Sequence, residues 1–222
     1  MSVAVVVVAA GTGERLGAGL PKALVTLGDR TILDWSVRAF DRHPGIDTLV
    51  VVGPAAATGA LVAGLPATAR VVAGGPTRQD SVNRGLAALP SEVEFVLVHD
   101  AARPLVPASV ISAVLAALTA GADAVIPVLP VIDTIKRVDA EQRVTGTVDR
   151  SELRRVQTPQ GFRLAVLLEA HQARPGGDVT DDAGLIEYLG HPVLTVPGDE
   201  SAFKITTPHD LRLAELLAGD TA

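Results

Sequence analysis

The sequence predicts an α/β fold in which a mostly parallel sheet carries helices on both faces. Short runs of Val, Ile, Ala and Leu alternate along the chain with longer segments of helical periodicity. These short runs are apolar at successive positions rather than at every second one, which is typical of strands buried on both faces. A chain of 222 residues that is 48% hydrophobic can bury a full core, so we predict one domain over residues 1–222.

The predicted elements follow one another in alternation. The strand candidates are short β-branched runs: Ala4–Ala9, Thr48–Val52, Arg70–Ala73, Phe95–His99, Ala124–Val128 and Val193–Val196. The helix candidates have apolar residues at helical spacing: Ile32–Arg42, Ala57–Ala63, Ser81–Ala88, Ala108–Ala120, Leu164–Arg174, Asp181–Leu189 and His209–Leu217. Ligands of parallel sheets bind at the carboxyl ends of the strands. We therefore expect the site in the loops that follow Ala9, Ala73, His99 and Val128.

One segment interrupts the alternation. Val131–Val138 and Arg143–Arg150 have the pattern of two strands joined by a turn at residues 139–142, and neither strand has a strong apolar face. A lone two-stranded ribbon is marginally stable in water, so it should pack against something. We interpret residues 131–158 as a protruding β-arm that pairs two subunits. An ordinary surface hairpin is the alternative.

Composition excludes several classes of function. The chain has no cysteine, which removes disulfides, thiolate metal ligands and thiol nucleophiles. Its net charge of -6 disfavours general nucleic-acid binding. The apolar start is too short for a signal peptide, and no stretch of about 18 residues is apolar enough to span a membrane. We expect a cytoplasmic protein with no membrane or nucleic-acid partner.

The loop after the first strand has the composition of a phosphate site. Residues 9–13 read Ala-Ala-Gly-Thr-Gly, and Arg15 and Lys22 follow. Glycines allow backbone N–H groups to surround an anion, and the two cations can neutralise phosphate charge. Only Lys22, Lys136 and Lys204 are lysines, against sixteen arginines. A retained lysine indicates a position that needs a compact charge, unless it is a chance remnant of codon bias.

Two familiar nucleotide loops do not fit this segment. In a P-loop the lysine is followed by Ser or Thr, whereas Ala23 follows Lys22. The dinucleotide fingerprint G-x-G-x-x-G also fails, because the third glycine, Gly17, comes one residue too late. A dehydrogenase is therefore disfavoured.

A second candidate site follows the strand that ends at His99. Asp100 can hold Mg²⁺ directly or through water, and Arg103 can bind a phosphate. The alternative is a local Asp–Arg pair that closes the loop. His99 ends a buried strand, so we interpret it as a hydrogen-bonded structural residue rather than a catalytic base.

Weaker signals lie in four other segments. The glycine turn at residues 74–82 can approach a base or ribose, or it can be a plain helix start capped by Asp80 or Ser81. Residues 158–162 and 179–183 read as turns or helix caps. Residues 203–211 place Lys204 just before a helix start.

Taken in order, these residues resemble a known family. Residues 9–17 with Pro21-Lys22 are similar to the signature of nucleotidyltransferases that join a nucleotide to a phosphorylated sugar or polyol. The motifs that narrow the resemblance are His99-Asp100-Ala101-Ala102-Arg103-Pro104, Asp133-Thr134, Thr147-Val148-Asp149-Arg150, Thr158-Pro159-Gln160 and Thr180-Asp181. Together they resemble the 2-C-methyl-D-erythritol 4-phosphate cytidylyltransferases of the non-mevalonate isoprenoid pathway, from the first strand to residues 204–206.

The resemblance implies a Rossmann-like nucleotidyltransferase fold, a reaction and a set of roles. CMP would pass from CTP to 2-C-methyl-D-erythritol 4-phosphate, giving 4-diphosphocytidyl-2-C-methyl-D-erythritol and pyrophosphate. Arg15 and Lys22 would stabilise the transition state, while Arg150 and Lys204 would position the acceptor phosphate. The nucleotide would be held by Ala9, Ala10, Gly11, Thr12, Gly13, Gly75 and Ser81. The acceptor would be held by Asp100, Arg103, Thr134 and Thr180.

The resemblance also implies a cofactor and an assembly. We expect Mg²⁺, or another divalent cation, at Asp100. We expect a homodimer in which the arm brings Thr134 and Arg150 to the partner's site. Two positions differ from the family pattern, since Pro76 stands where many members have Asp and Ala202 where many have Asn.

Three other functions are considered. A cytidylyltransferase for another polyol phosphate, such as ribitol 5-phosphate, would share most of these motifs. A non-catalytic nucleotide-binding domain is disfavoured because Arg15, Lys22, Arg150 and Lys204 are all present. A hexose-1-phosphate nucleotidyltransferase often carries extra domains for which this chain has no room.

Overall fold

The computed structural model describes residues 1–11, 20–54, 58–62, 64–173 and 180–219. Within these residues the strands are β1 Val3–Val8, β2 Thr26–Leu27, β3 Arg30–Thr31, β4 Thr48–Gly53, β5 Ala69–Ala73, β6 Phe95–Asp100, β7 Ala124–Pro130, β8 Ile135–Val138, β9 Val144–Val148, β10 Arg154–Val156, β11 Gln160–Arg163 and β12 Leu194–Pro197. The α-helices are α1 Ile32–Asp41, α2 Thr58–Val62, α3 Arg78–Leu86, α4 Ala108–Thr119, α5 Leu164–Ala173, α6 Asp182–Tyr188 and α7 Pro208–Gly219. Within these residues each predicted strand and helix is confirmed to within a few residues, while Ala57, Ala63 and Arg174 of the predicted helices lie outside them.

The central sheet is mostly parallel. Its strand order is β10-β7-β11-β6-β1-β4-β5, with β12 also paired to β7. β1 lies parallel to both β4 and β6, and β5 continues the parallel set beside β4. This order brings the carboxyl ends of β1, β5 and β6 to one edge of the sheet, where their loops form a common site.

β11 is a strand that sequence analysis did not find. Gln160–Arg163 runs antiparallel between β6 and β7, in the segment interpreted as a turn or cap. The strand has only four residues and carries polar side chains at both ends, so no apolar run marks it. Its place in the sheet comes from pairing with two neighbours that are distant in sequence.

Helices cover both faces of the sheet, as predicted. Alternate residues of a strand point to opposite faces, and β1 shows this clearly. Val3, Val5 and Val7 pack in a cluster with residues of α1 and α4. Val6 packs on the other face, in a cluster with residues of α3, α5 and α6.

A smaller cluster supports the loops next to the site. It joins the β2–β3 hairpin, α7 and the segment before α7 through Leu27, Ile205 and Ala214, all fully buried. A short 3-10 helix at Lys22–Leu24 precedes the hairpin and places Lys22 beside the end of β1. Residues 22 and 204 therefore belong to segments held by one hydrophobic cluster.

The β-arm forms a sheet of its own. β8 and β9 pair antiparallel, with a register shift between Arg137 and Val138. Gln142 closes the turn with a φ of 62°, in the left-handed region. Apolar side chains on and beside the arm are exposed, including Ile132 at 69% and Val144 at 62%. The predicted hairpin is confirmed, and β10 at the end of segment 131–158 returns to the central sheet beside β7.

Among the described residues, no helix is long and apolar enough to cross a membrane.

Candidate active site

A cavity of about 650 Å³ opens at the carboxyl ends of the parallel strands. Residues from five separate segments line it: Val8, Ala9, Ala10, Gly11, Lys22, Ala23, Gly75, Pro76, Thr77, Arg78, Ser81, Asp100, Ala101, Ala102, Lys204 and Thr206. A volume of this size suits a nucleotide-sized ligand.

The first glycine turn is fixed to the sheet by its backbone. The Ala9 N–H donates to the Val52 carbonyl at 2.8 Å, which continues the pairing of β1 with β4 beyond the strand end. Ala9, Ala10 and Gly11 then line the cavity. The predicted contributions of Thr12, Gly13 and Arg15 lie outside the described residues.

The second glycine turn leads directly into α3. The Gly75 N–H donates to Ser81 Oγ at 3.0 Å, so the turn folds back on the first turn of the helix. A Cβ on Gly75 would lie 2.4 Å from the Cβ of Asp80, which explains the glycine. The helix cap is Thr77 rather than Asp80 or Ser81, because Thr77 Oγ1 accepts from the Asp80 N–H at 3.0 Å. The segment is therefore both a helix start and a wall of the cavity.

The segment before α7 contacts one cavity lysine, Lys22, and carries the other, Lys204. Lys22 Nζ donates to the Ile205 carbonyl at 2.8 Å, and the Ile205 N–H donates to the Ala102 carbonyl at 2.8 Å. Lys204 Nζ donates to Asp100 Oδ2, also at 2.8 Å. This segment therefore connects the glycine-turn side of the cavity to the end of β6.

Asp210 holds the residues after Lys204 in place. Its Oδ2 accepts from the backbone N–H groups of Thr206 and Thr207 and from Thr206 Oγ1, at 2.7 to 2.8 Å. Burial raises the pKa of Asp210, but these hydrogen bonds outweigh burial and lower the pKa to about 2. The carboxylate stays ionised at neutral pH and fixes the start of α7.

Asp100 is a buried carboxylate surrounded by cations. Its oxygens lie 3.4 Å from Arg78 Nε, 2.8 Å from Lys204 Nζ and 3.9 Å from Arg103 Nε. Burial alone would raise the pKa of Asp100, but Arg78, Lys204 and Arg103 hold it well below its ordinary range. Asp100 is therefore an anion at neutral pH and faces the cavity.

Arg103 lies beside the cavity rather than on its surface. Its guanidinium donates to the Ala202 carbonyl at 2.8 Å and to the Val156 carbonyl at 3.4 Å. Burial lowers the pKa of Arg103, and nearby Arg78 adds to the effect although Asp100 opposes it. The described contacts of Arg103 thus position the segment that carries Ala202 and, two residues later, Lys204.

His99 has the structural role expected of it. The ring is buried, with Nδ1 3.0 Å from Thr158 Oγ1 and Nε2 3.2 Å from the Arg103 carbonyl. Burial lowers the pKa of His99 to about 3. Both ring nitrogens are engaged, so the imidazole is neutral and is not available as a general base at neutral pH.

Sequence analysis missed two charged residues that complete this site. Arg78 lines the cavity and bridges Asp100 to Asp182, whose Oδ2 accepts from Arg78 Nη1 at 2.7 Å. Asp182 was noted only within a cap segment, and the cap there is Asp181. One available signal was the position of Arg78 at the start of α3. A cation at that end opposes the helix dipole and indicates an acidic partner elsewhere.

Three of the predicted acceptor residues lie away from the cavity within this chain. Thr134 is exposed just before β8, and Thr180 is exposed just before the α6 cap. Arg150 is exposed, donates to the Ile132 carbonyl and lines a separate cavity of about 700 Å³ at the base of the arm. The chain therefore brings Lys22, Lys204 and Asp100 together, but not Arg150 or Thr134.

The donors at the cavity fit a magnesium–nucleotide complex. Of the described residues that line the cavity, Asp100 alone carries a carboxylate, and no cluster of three or more metal-ligating side chains occurs among the described residues. Mg²⁺ is commonly held by one or two carboxylates together with substrate phosphates. A single carboxylate beside two glycine turns matches that pattern.

Comparison with known proteins gives the family. The model of the 2-C-methyl-D-erythritol 4-phosphate cytidylyltransferase family matches residues 3–219. The chain belongs to this family. A cytidylyltransferase of this name from Frankia casuarinae is 52% identical over 97% of this chain and 80% of its own length. One from Rhodococcus jostii is 50% identical over 99% of this chain and 96% of its own length.

Solved cytidylyltransferase structures share the fold. The enzyme from Thermus thermophilus superposes with a TM-score of 0.83 at 42% identity, covering 99% of this chain and 100% of the other. The 4-diphosphocytidyl-2C-methyl-D-erythritol synthase from Anaerococcus prevotii gives a TM-score of 0.85 at 28% identity, covering 98% of each chain. The nucleotidyltransferase fold expected from the sequence is confirmed.

Family membership also decides the reaction. The chain is a cytidylyltransferase that transfers CMP from CTP to 2-C-methyl-D-erythritol 4-phosphate. The alternative, a cytidylyltransferase for another polyol phosphate such as ribitol 5-phosphate, is not favoured by these comparisons.

Proposed function

We propose that the cavity at the ends of β1, β5 and β6 is the active site of this cytidylyltransferase. The observation that carries the proposal is the convergence of Lys22, Lys204 and Asp100 on one cavity beside two glycine turns. The turns at Ala9–Gly11 and Gly75 bind the nucleotide. A phosphate oxygen of the acceptor then attacks the α-phosphorus of CTP in line, and pyrophosphate leaves.

The nucleophile in this reaction needs no general base. A phosphomonoester has its second pKa near ~6 and is largely dianionic at neutral pH. The histidine nearest the site is buried and hydrogen bonded through both nitrogens, so it is not placed to take a proton. The protein's task is to bring a dianion up to a triphosphate and to stabilise charge at the α-phosphate.

The cations of the site perform this task. Lys22, with Arg15 from the same loop, stabilises the α-phosphate in the transition state. Lys204 positions the acceptor phosphate. When bound at Asp100 with the nucleotide phosphates, Mg²⁺ supplies further neutralisation of charge.

Two of the acceptor residues, Thr134 and Arg150, reach the site from a second subunit. Thr134 and Arg150 do not line this chain's own cavity, and the arm that carries them exposes apolar side chains. A symmetric dimer in which each arm crosses to the partner would cover that surface and complete both sites.

A pyrophosphate-release assay tests the proposal. With CTP and Mg²⁺, the chain should release pyrophosphate when 2-C-methyl-D-erythritol 4-phosphate is added and much more slowly with ribitol 5-phosphate. Equal rates with the two acceptors would contradict the assigned acceptor. Excess EDTA should stop turnover, and undiminished activity in EDTA would contradict a magnesium-dependent site.

Asp100→Asn tests the metal assignment within this site. The substitution keeps the size of the side chain and removes its charge, so the Mg²⁺ concentration for half-maximal activity should rise. An unchanged Mg²⁺ titration would leave Asp100 as a partner of Arg78 and Lys204 only.

A further inference from the structure

Arg78 occupies a place in the site that the roles above do not explain. It is the first residue of α3, and its guanidinium lies between two carboxylates from other elements. Nε is 3.4 Å from Asp100 Oδ1 at the end of β6, and Nη1 is 2.7 Å from Asp182 Oδ2 at the start of α6. The side chain is 29% exposed, on the surface of the cavity.

Asp182 anchors Arg78 from outside the cavity. Its carboxylate is 1% exposed, and its second oxygen lies 3.0 Å from His171 Nε2, which is also buried. A buried carboxylate needs such partners, because an unpaired charge in the interior is strongly destabilising. Asp182 is thus held by α5 on one side and holds Arg78 on the other.

Because Arg78 is anchored in this way, the two carboxylate oxygens of Asp100 contact different cations. Oδ1 faces Arg78, while Oδ2 accepts from Lys204 Nζ at 2.8 Å and lies 3.9 Å from Arg103 Nε. Rotation of the Asp100 carboxylate would break both contacts at once. The orientation of Asp100, and with it the position of the Lys204 ammonium, therefore depends on Arg78.

We propose that Arg78, anchored by Asp182, is a positioning residue that sets the orientation of Asp100 and Lys204 for nucleotidyl transfer. The proposal rests on the function assigned to the cavity above. It differs from a purely structural ion pair, which would lower the stability of the chain without changing how Asp100 acts.

Two conservative substitutions test whether Arg78, anchored by Asp182, orients Asp100 and Lys204. In Arg78→Lys the charge remains, but one ammonium cannot reproduce the planar fork that spans two carboxylates. In Asp182→Asn the anchor loses its charge at constant size. Each should lower kcat/KM by about 10- to 100-fold, the usual effect of removing a residue that orients a ligating group. Each should also raise the Mg²⁺ concentration needed for half-maximal activity.

The chain offers a matched control for Arg78→Lys. Arg163 also bridges two carboxylates, with Nε 2.9 Å from Asp123 and Nη1 3.4 Å from Glu94, and it is not among the residues lining the cavity. Arg163→Lys should keep the parental kcat/KM and Mg²⁺ titration, whatever its effect on thermal stability. A loss in Arg163→Lys equal to that in Arg78→Lys would overturn the positioning role.

Double-mutant cycles distinguish a positioning role of Arg78 from a purely structural ion pair. If Arg78 acts through Asp100, Arg78→Lys should lower kcat/KM less in an Asp100→Asn background than in the parent. The fold-decrease in kcat/KM should be at least ten times smaller in that background. The same coupling is expected between Arg78→Lys and Asp182→Asn. Single-turnover measurements at high enzyme concentration extend the range for the slow variants.

The outcomes are distinguishable from those of the assigned function. A parent chain that does not turn over CTP with 2-C-methyl-D-erythritol 4-phosphate contradicts the function itself. An active parent with additive losses in both cycles, or with an Arg78→Lys variant of parental kcat/KM, overturns only the role of Arg78. If Asp182→Asn unfolds, the Arg78–Asp100 cycle alone decides.

Discussion

Lys22 is the residue whose role is most directly testable. It lines the cavity, and its ammonium donates to the Ile205 carbonyl at 2.8 Å. Lys22→Ala should therefore fold with a parental melting temperature while kcat falls by roughly 10² or more, as for other preorganised charge-stabilising groups.

Lys22→Arg is the matched variant for this prediction. It keeps the charge but replaces a compact ammonium with a planar fork, so it should also be poorly active. Turnover of Lys22→Ala within a few-fold of the parent would remove Lys22 from the chemistry. Steady-state kinetics and thermal melting of both variants are the measurements.

His99 should make stability depend on pH in mildly acidic solution. Burial lowers its pKa in the folded chain from the ordinary value of 6.5 to about 3. Between these values the unfolded chain binds a proton that the folded chain does not, so stability is full above pH ~6.5 and falls as the pH decreases. The slope from this group should approach about 1.4 kcal/mol per pH unit.

Urea unfolding between pH 7.5 and 5 measures this slope. His99→Gln should flatten it, even if the variant is less stable at every pH. His209→Gln, the same substitution at an exposed side chain, is the control. A parental slope in His99→Gln would show that another group causes the acid sensitivity.

At the scale of elements, two helical glycines should respond oppositely to the same substitution. Gly85 lies where α3 packs on the sheet, and a Cβ there would be 2.4 Å from Val6 Cγ1 and 2.9 Å from Val52 Cγ2. Gly59 lies in α2, and no atom of the residues that the structure describes lies within 4 Å of where its Cβ would be. α3 also carries Arg78 into the cavity, so its distance from the sheet bears on the site.

Gly85→Ala should be destabilising by about 1–3 kcal/mol, because overpacking outweighs the better helix propensity of alanine. Gly59→Ala should be neutral or stabilising by up to about 1 kcal/mol. The free energy of unfolding from denaturant titration measures both. Stabilisation by Gly85→Ala would contradict the close contact of α3 with β1 and β4.

At the scale of the whole molecule, the arm decides how many chains make one active site. If the arm crosses to the partner, each site combines Lys22 of one chain with Arg150 of the other. Lys22→Ala and Arg150→Ala homodimers should then be nearly inactive. A mixed dimer would have one site with both defects and one with neither.

Subunit exchange between the two variants tests this directly. About half of the dimers should be mixed and each should have one intact site, so activity should recover to about a quarter of the parental value. Mass spectrometry confirms that mixed dimers have formed. Absence of recovery in their presence would mean that Arg150 acts within its own chain.

The sequence by itself determined the sheet, the helices, the glycine turns and the arm. These features follow from local patterns, namely apolar runs, helical spacing and turn residues within about ten positions of one another. The structural role of His99 was also readable, because a residue that ends a fully apolar strand is buried. Residue types and positions indicated Lys22 and Asp100 as candidate site residues, and the family resemblance then implied the role of Lys204.

Only the tertiary structure decided which charges meet. Arg78 and Asp182 are 104 positions apart, as are Lys204 and Asp100, and no local pattern signals either pair. β11 and the backbone contacts of Arg103 likewise depend on segments brought together from distant parts of the chain. Periodicity shows which residues are buried, but the partners of buried and half-buried charges are set by how the sheet orders its strands.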